Sequence, residues 1–387
     1  MDTLTQQFII ANLLEDVRLL ALKTAPKGVD LPKALEQILA RQLLLKKVPT
    51  WAKNKQLEFP PHLSIEQCSS EETARYKASL LSGKTLVDLT GGMGVDCYFM
   101  SQTFEHTFYV EQMPNLVELA EHNFKILNSN IIVNQGDSEL FLDDMNPVDA
   151  IFIDPARRDM NGRKTVSIHD CTPDIAQLQT ILLIKAKQVL IKLSPMLDIA
   201  LALKELKQVK AVYVIAVGNE CKELLFLLER DYVDETMIYS INLPHDKVPL
   251  SYNLSEEKVL KINYSSTILA YLYEPNAAIL KAGAFKTITT EYAIEKLQIN
   301  SHLYTSNQLI NGFPGRTFKV QKWAPFNNKI SKTLLAGITN ANITTRNFPL
   351  SVSDLRKKLK LKDGGDIYIF ATTLVDNQKV LAVCQKV

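Results

Sequence analysis

The sequence lacks the features that mark membrane-spanning, secreted and zinc-binding proteins. No apolar run approaches the roughly 20 residues of a membrane span. The opening segment MDTLTQQFIIANLLEDVRLL has neither the basic n-region nor the small-residue cleavage site of a signal peptide. The five cysteines are odd in number and widely spaced, and no CxxC or HxxxH pair occurs. These absences disfavour disulfides and metal sites, so we predict buried free thiols, no metal, no membrane partner and a cytoplasmic location.

The composition is that of an ordinary globular protein with an uneven distribution of charge. The chain has 387 residues, which predicts two to four domains, and its formal net charge is +2. Residues 316–387 contain 13 Lys and Arg against 4 Asp, a net charge of +9, and the rest of the chain has −7. A basic end on an acidic body favours an anionic partner for that end, although solvated lysines alone could explain part of it.

Hydrophobic periodicity divides the chain into four parts. Apolar residues from Ile9 to Leu20 recur at helical spacing, and SSEETARYKASLL has a capping box from Ser69 to Glu72 that predicts a further helix. From residue 84, the apolar strands TLVDL, HTFYVEQ, NIIVNQ, DAIFID and QVLIKL alternate with helical segments. Strands that are apolar on both faces indicate a parallel, doubly wound α/β sheet, which continues to about residue 230.

The alternation of apolar strands and helices ends near residue 236. Short strands and turns precede EPNAAILKAGAF and TEYAIEKL, and the second of these predicts a helix. The segment LSVSDLRKKLKL predicts a capped helix, followed by the strands DIYIFATTL and KVLAVCQK, as in a small α+β module. We therefore expect a helical domain over 1–80, the α/β domain over 81–235, a connecting domain over 236–317 and the α+β module over 318–387.

The segment VDLTGGMGVDCYFMSQ, residues 87–102, places three glycines within four residues directly behind a strand. Gly92 and Gly94 would let the backbone approach a ligand where a side chain would collide, close to the N–H groups of the next helix. The spacing GGMG does not match the G-x-G-x-x-G of dinucleotide sites. The carboxylate of Asp88 would also repel a pyrophosphate, so the turn favours a cationic or amino-bearing ligand.

Acids follow the next three strands of the same sheet. Glu111 lies 17 residues after Gly94, near the place of a ribose-binding acid, and Asp137 and Asp154 follow the third and fourth strands. Open α/β sheets bind their ligands at the carboxyl ends of the strands. The ordered set of four acids therefore predicts a ligand site at this edge.

This order of motifs resembles the class I S-adenosylmethionine-dependent methyltransferases over roughly residues 66–230. The resemblance implies a Rossmann-like domain in which Glu111 binds the ribose and Asp137 the adenine of S-adenosylmethionine. It also implies contacts with the rest of the cofactor, from Asp88, Thr90, Gly92 and Gly94 for the methionine moiety and from Gln67, Ser69 and Thr73 for its carboxylate. Thr90 stands where many members have a glycine, and threonine fits there only if the position needs no positive φ.

Longer motifs resemble a bacterial family of predicted RNA methyltransferases with a ferredoxin-like domain and a C-terminal THUMP-like domain. They are GGMGVD, IDPARRD, KLSPMLD, EPNAAILKAGAFK and TTRNFPLSVSDLRKKLKLKDGGD, and they span nearly the whole chain. The resemblance implies methylation of structured RNA, for which rRNA and tRNA are the candidates.

Methyl transfer requires a nucleophile held about 3 Å from the methyl carbon and a group that accepts a proton. Asp154 and the carbonyl of Pro155 are the candidates to accept hydrogen bonds from an exocyclic amine, unless Asp154 only caps the following turn. Arg157 and Arg158 either contact the substrate or form salt bridges. Lys192 and Ser194 either line the pocket or simply end their strand. Carbon methylation would need a reactive thiolate, and no cysteine lies in a recognisable nucleophile motif, so nitrogen is favoured.

The basic C-terminal module suggests how RNA is held. Arg346 and the lysines Lys357, Lys358 and Lys360 are candidate phosphate contacts, and a helix beginning near Ser353 would place Arg356 and Lys360 on one face. A solvated face that only aids solubility is the alternative.

Three other functions stay open at the level of the sequence. A nucleotide-linked oxidoreductase would bind NAD instead of S-adenosylmethionine. A non-catalytic RNA-binding protein could keep a vestigial cofactor fold. A small-molecule or protein methyltransferase would leave the basic module unexplained.

Overall fold

The computed structural model describes residues 1–157, 168–246, 248–327 and 333–387. The chain forms two compact units, the first from residues 1–212 and 223–234 and the second from residues 213–222 and 235–387. No helix within the described ranges is both long and apolar enough to cross a bilayer. All five cysteines are free thiols, and Cys97, Cys171 and Cys384 are buried.

The first unit begins with six helices, which confirms the prediction that this part of the chain is helical. They are α1 (Thr3–Ala11), α2 (Val17–Ala21), α3 (Leu31–Lys47), α4 (Pro49–Lys53), α5 (His62–Gln67) and α6 (Glu71–Ala78). The apolar stripe from Ile9 to Leu20 is divided between α1 and α2, because the Asp16 side chain accepts hydrogen bonds from the N–H groups of Arg18 and Leu19 and starts a new helix. Ile9, Leu20 and residues of α3 share one small core.

One sequence-based prediction about α6 was wrong by a residue. Ser70, and not Ser69, caps the helix, since its hydroxyl accepts a hydrogen bond from the N–H of Thr73. Ser69 is buried and is bonded elsewhere, as described below.

A parallel sheet with helices between its strands follows, which confirms the α/β prediction. The strands are β1 (Thr85–Asp88), β2 (His106–Glu111), β3 (Ile131–Gln135), β4 (Val148–Ile153), β5 (Ala156–Arg157), β6 (Cys171–Thr172), β7 (Ala186–Leu193), β8 (Val209–Val217) and β9 (Glu220–Glu229). The helices are α7 (Val95–Ser101), α8 (Pro114–Ile126), α9 (Ser138–Asp144), α10 (Ile175–Lys185) and α11 (Ile199–Glu205), with a 3-10 turn at Ile168–Asp170.

The five central strands lie in the order β7-β4-β1-β2-β3, and all are parallel. β9 runs antiparallel to β7, and the short β5 and β6 pair with each other. Asp88 lies opposite Tyr109 of β2 and Phe152 of β4, so these strands end level with one another. That register brings the residues after each strand to one edge of the sheet.

The second unit holds smaller α+β structure. Its strands are β10 (Met237–Leu243), β11 (Leu250–Asn253), β12 (Tyr271–Pro275), β13 (Glu295–Lys296), β14 (Tyr304–Ser306), β15 (Gly315–Pro325), β16 (Asn342–Thr345), β17 (Ile367–Thr373) and β18 (Lys379–Lys386). Its helices are α12 (Leu254–Val259), α13 (Ala277–Ala282), α14 (Thr287–Tyr292) and α15 (Val352–Leu359). β10 and β11 form an antiparallel pair, and a seven-stranded sheet has the order β13-β14-β12-β15-β18-β17-β16.

The segment TEYAIEKL is not one helix. α14 ends at Tyr292, Ala293 adopts a positive φ of 51°, and Glu295 and Lys296 form a strand that pairs with β14. Ile294 and Leu297 are buried. The tertiary burial of these residues therefore prevails over the helix propensity of the segment.

Candidate active site

Glycine is required at the three positions after β1 for different structural reasons. A Cβ at Gly91 would lie 2.1 Å from the ring of Tyr109, so only glycine fits there. Gly94 is the N-terminal cap of α7 with a φ of 83°, and its Cβ would lie 2.7 Å from the ring of Phe124. At Gly92 a Cβ would lie 3.8 Å from the Thr90 carbonyl oxygen, an ordinary contact distance, and the reason for glycine is its φ of 53°. The turn is thus packed against side chains at Gly91 and Gly94 but not at Gly92.

Thr90 belongs to this turn without adopting a positive φ. Its hydroxyl oxygen accepts a hydrogen bond of 2.6 Å from the backbone N–H of Asp154. The threonine therefore links the glycine turn after β1 to the candidate catalytic residue after β4, a role that glycine could not perform.

Asp88 ends β1 and is only 1% exposed. Its Oδ1 accepts a hydrogen bond of 3.0 Å from the N–H of Thr90, whereas its Oδ2 has no hydrogen-bond partner among the described residues. Burial raises the pKa of Asp88 well above its ordinary value, and the carboxylates of Asp96, Asp154 and Glu111 act in the same direction. A buried, unpartnered oxygen of this kind calls for a hydrogen-bond donor.

Glu111, at the end of β2, braces the glycine turn. Its Oε2 accepts a hydrogen bond of 2.8 Å from the N–H of Gly92, and its Oε1 accepts one of 2.9 Å from the N–H of Met113. Asp137 follows β3 and is exposed, and its Oδ1 caps α9 through the N–H groups of Glu139 and Leu140. The acids at the ends of four consecutive strands thus lie at the same edge of the sheet.

The upstream candidates occupy different environments. Gln67 is exposed at the end of α5, and Thr73 is buried with its hydroxyl donating to the carbonyl of Ser70. Ser69 is also buried, where its hydroxyl donates a hydrogen bond of 2.6 Å to Oδ2 of Asp96 and accepts one of 2.8 Å from Nζ of Lys77. Ser69 is thus already bonded to two charged side chains, Asp96 and Lys77, which lie outside the predicted contacts of this residue.

Charged side chains of alternating sign form a buried chain beneath the site. Lys77 is fully buried, and its Nζ lies 2.9 Å from Glu223 Oε2 and 3.0 Å from Asp96 Oδ1. On the other side of Asp96, its Oδ2 lies 3.9 Å from Nζ of Lys192, which in turn lies 2.6 Å from Oδ2 of Asp154. Burial would raise the pKa of Asp96, but Lys77 and Lys192 outweigh it and hold that pKa below its ordinary value.

Sequence reasoning missed three members of this chain, namely Lys77, Asp96 and Glu223. Asp96 belongs to the motif GGMGVD and Lys77 to the segment SEETARYK, but neither motif indicated a function for these two residues. Glu223 is 146 residues from Lys77 and carried no signal.

The candidate substrate contacts near Asp154 are described in part. The Asp154 side chain is 35% exposed, and Pro155 is buried. The backbone of Arg157 pairs with Cys171 in the β5–β6 ladder, and Arg158 lies outside the described residues. Ser194 follows β7, and its hydroxyl accepts a hydrogen bond of 3.2 Å from the N–H of Met196.

In the second unit, Arg346 binds an acid of its own protein. Its Nη2 lies 2.8 Å from Oε1 of Glu274, a buried carboxylate that Arg316 also binds through Oε2. Both arginine side chains keep more than a third of their surface exposed.

The predicted basic face of the C-terminal helix needs a correction. α15 ends at Leu359, and Lys360 caps it with a φ of 56°, so Lys360 does not continue the helical face of Arg356. Arg356 binds Asp363 and the carbonyl of Ala341. Lys357, Lys358 and Lys360 are exposed, and Nζ of Lys358 lies 5.0 Å from the ring centroid of Phe326. The cationic surface therefore consists of the end of α15 and its cap.

Comparisons with known proteins complete this description. A family model described as a ferredoxin-like domain matches residues 271–314, and one described as THUMP domain-like matches residues 315–386. No curated protein matches the chain. A solved structure described as "putative methyltransferase from Porphyromonas gingivalis W83" is 34% identical, with a TM-score of 0.89, over 99% of this chain and 97% of its own.

Two further solved structures are similar over less than half of this chain. An rRNA methylase from Streptococcus thermophilus is 14% identical over 41% of this chain and 93% of its own, with a TM-score of 0.30. TrmK from M. capricolum, in complex with S-adenosyl-homocysteine, is 12% identical over 42% of this chain and 70% of its own, with a TM-score of 0.32. At TM-scores this low, neither likeness adds to the account.

Proposed function

Because the chain belongs to the bacterial methyltransferase family whose members carry a ferredoxin-like and a THUMP-like domain, we propose that it methylates a base nitrogen in structured RNA with S-adenosylmethionine. One observation carries the proposal. The glycine turn is hydrogen-bonded both to the acid after β2, through Gly92 and Glu111, and to Asp154, through Thr90. A cofactor-binding turn and a proton-accepting carboxylate are thereby joined in a single network.

The residues present fit S-adenosylmethionine. The unpartnered Oδ2 of Asp88 needs a donor, and the amino group of the cofactor's methionine moiety is a suitable one. Glu111 uses one lone pair of each oxygen for the backbone, and a carboxylate has about four such positions, so two remain for ribose hydroxyls. No side chain packs against the place of a Cβ at Gly92, unlike at Gly91 and Gly94, so a ligand could approach the backbone there. Asp137 would receive the adenine amine. Gln67 is the proposed contact for the cofactor's carboxylate, because Ser69 and Thr73 already donate their hydroxyl protons to Asp96 and to the Ser70 carbonyl.

Bound S-adenosylmethionine supplies an electrophilic methyl group on a sulfonium. The protein's task is then to orient the nucleophile and to accept its proton. Asp154 accepts a hydrogen bond from the exocyclic amine of a base, together with the Pro155 carbonyl, and so directs the nitrogen lone pair at the methyl carbon. Arg157, Arg158 and Ser194 follow β4 and β7 and are proposed to hold the base or its phosphate.

The thiols near the site argue for nitrogen over carbon as the methylated atom. Burial raises the pKa of the Cys97 thiol well above its ordinary value, and burial also raises the pKa of Cys68. A nucleophilic cysteine needs the opposite shift, because the thiolate is the reactive form. Neither thiol is therefore suited to attack a pyrimidine ring.

RNA is the proposed substrate because of the C-terminal module. Residues 315–386 match a THUMP-like model, and the last 72 residues have a net charge of +9. Phosphate neutralisation supplies most of the affinity of such surfaces for nucleic acid. Arg346, Lys357, Lys358 and Lys360 are the proposed phosphate contacts.

The test is transfer of tritiated methyl groups to RNA by the purified full-length protein. The substrate is total RNA from a strain that lacks the gene, because its target nucleotide is unmodified. Label in the RNA supports the proposal, and the absence of label, with RNA binding intact, favours the non-catalytic RNA-binding alternative. Label in protein or small molecules instead would identify another class of methyltransferase.

A further inference from the structure

Lys192 is the side chain that directly binds Asp154. It is the second-last residue of β7, its side chain is 13% exposed, and its Nζ lies 2.6 Å from Asp154 Oδ2. A hydrogen bond of this length between an ammonium and a carboxylate is charge-assisted and strong. With the Asp154 N–H bound to Thr90, both the backbone and one carboxylate oxygen of Asp154 are fixed.

The ammonium group of Lys192 also faces a second carboxylate, that of Asp96. Asp96 lies 3.9 Å from it, and Asp96 is fixed by Ser69 and by Lys77 at 3.0 Å. Lys77 in turn is anchored to Glu223. This series of charged side chains therefore runs from β9 through α6, α7 and β7 to the turn after β4, and the sign of the charge alternates at every step.

Stability alone gives no reason for this arrangement. Removing a charge from water costs on the order of several kcal/mol, and well-packed apolar residues often stabilise a core as well as a buried ion pair does. What a buried ion pair does provide is a single geometry for its members. Asp154 is the exposed end of this series of charged side chains, and Lys192 binds only its Oδ2.

We propose that Lys192 is a positioning residue for the methyl transfer, which occupies Oδ2 of Asp154 so that Oδ1 alone accepts the hydrogen bond of the substrate amine. The inference rests on the proposed function. Burial lowers the pKa of Lys192, but Asp154 and Asp96 outweigh it and raise that pKa above its ordinary value. Lys192 stays protonated and is therefore not the proton acceptor.

Lys192→Met tests the role, because methionine has similar length and no charge. Measured with tritiated S-adenosylmethionine and total RNA from a strain that lacks the gene, kcat should fall about 100-fold, the effect of a small misplacement of a reacting group. The KM values for S-adenosylmethionine and for RNA should stay within about twofold, since positioning acts on the reaction step and not on binding. Lys192→Arg should recover at least about tenfold of the loss, because it keeps a buried donor to Asp154.

Lys187→Met is the matched control. Lys187 lies at the other end of β7, where its Nζ is 2.8 Å from Oδ1 of Asp149, but its side chain is 71% exposed. Its replacement removes a lysine–aspartate pair from the same strand and should leave kcat near the wild-type value. If Lys192→Met does not fold, Lys192→Leu replaces it with the same expectation, because leucine also has no donor for Asp154.

A double-mutant comparison separates this role from a general loss of structure. In an Asp154→Ala background, Lys192→Met should cause no further loss of kcat, because Lys192 acts through Asp154. Wild-type kcat in Lys192→Met, an equal loss in Lys192→Arg, or a full additional loss in the Asp154→Ala background would each overturn the role of Lys192 alone. Failure of the wild-type protein to label RNA would overturn the proposed function and the role of Lys192 with it.

Discussion

Two lysines of the first unit, Lys77 and Lys192, and the lysines at the end of α15 are organised in opposite ways. Lys77 and Lys192 are enclosed, and each binds at least one carboxylate at a distance of 2.6–3.0 Å. Lys357 and Lys360 are exposed at the surface. A buried charge fixes the position of the side chain that it binds. Exposed charges instead attract an anionic partner through their combined electrostatic field, which salt screens. Substitutions in the first group should therefore alter a reaction rate, and substitutions in the second should alter a salt-dependent affinity.

The largest effect is expected for Asp154→Asn, which keeps the shape of the side chain but removes its charge. Loss of a proton-accepting group costs about 10²–10⁴-fold in rate, so kcat for RNA methylation should fall within that range. Single-turnover transfer of tritiated methyl groups measures it. Asp149→Asn is the control, since Asp149 lies at the opposite edge of the sheet, where it binds Lys187 and two backbone N–H groups. Equal activity of Asp154→Asn and the wild type would remove Asp154 from the mechanism.

The next effect concerns the exposed lysines. Replacing Lys357, Lys358 and Lys360 together with Glu should weaken RNA binding on the order of 10²-fold and make its salt dependence shallower, because phosphate contacts are lost. Affinity for S-adenosylmethionine should not change. Filter binding across a salt series and calorimetry measure the two quantities.

The control for that variant has the same change of net charge in the first unit, with Lys23, Lys27 and Lys46 replaced by Glu. These three lysines are also exposed. If both triple variants weaken RNA binding equally, net charge alone is responsible and the end of α15 is not the docking surface.

A smaller effect is expected for Glu111→Ala. Its carboxylate holds Gly92 and Met113, and it is the proposed ribose ligand. Hydrogen bonds to a charged group contribute about 1.5–3 kcal/mol each, so affinity for S-adenosylhomocysteine should fall roughly tenfold or more. Calorimetry on this variant and on Glu105→Ala, which changes an exposed carboxylate just before β2, gives the comparison. Unchanged affinity in Glu111→Ala would exclude Glu111 from the site.

The smallest effect is on stability. Gly94→Ala places a Cβ against Phe124 at a positive φ, and such strain costs about 1–3 kcal/mol in the free energy of unfolding. Gly136→Ala is the control, since nothing lies within 4 Å of its would-be Cβ. Thermal unfolding followed by circular dichroism should show a lower midpoint for the first variant only. Equal midpoints would mean that the turn tolerates a side chain at Gly94.

The succession of strands along the chain and the acids at their ends could be predicted, because both depend on local patterns. Strands of a parallel sheet are apolar on both faces, and their carboxyl ends necessarily share one edge. The alternation of strands and helices was therefore enough to predict that Asp88, Glu111 and Asp154 lie at this edge. The assignment of the cofactor and of the RNA came from resemblance to known families and not from these patterns.

The partners of the buried charges could not be predicted, since they depend on contacts between distant segments. Lys77 binds Glu223 across 146 residues of sequence. Errors at helix ends have a local cause. Asp16 starts a new helix by capping it, and Ala293 ends α14 with a positive φ because the residues after it are buried in strand pairing.

The measurement that tests the central claim most directly is mass spectrometry of modified nucleosides in total RNA. Three strains are compared: one lacking the gene, one complemented with the wild-type gene, and one complemented with Asp154→Asn. The account predicts that one N-methylated nucleoside disappears in the first strain, returns in the second and stays absent in the third. An unchanged set of nucleosides in the strain lacking the gene would contradict it.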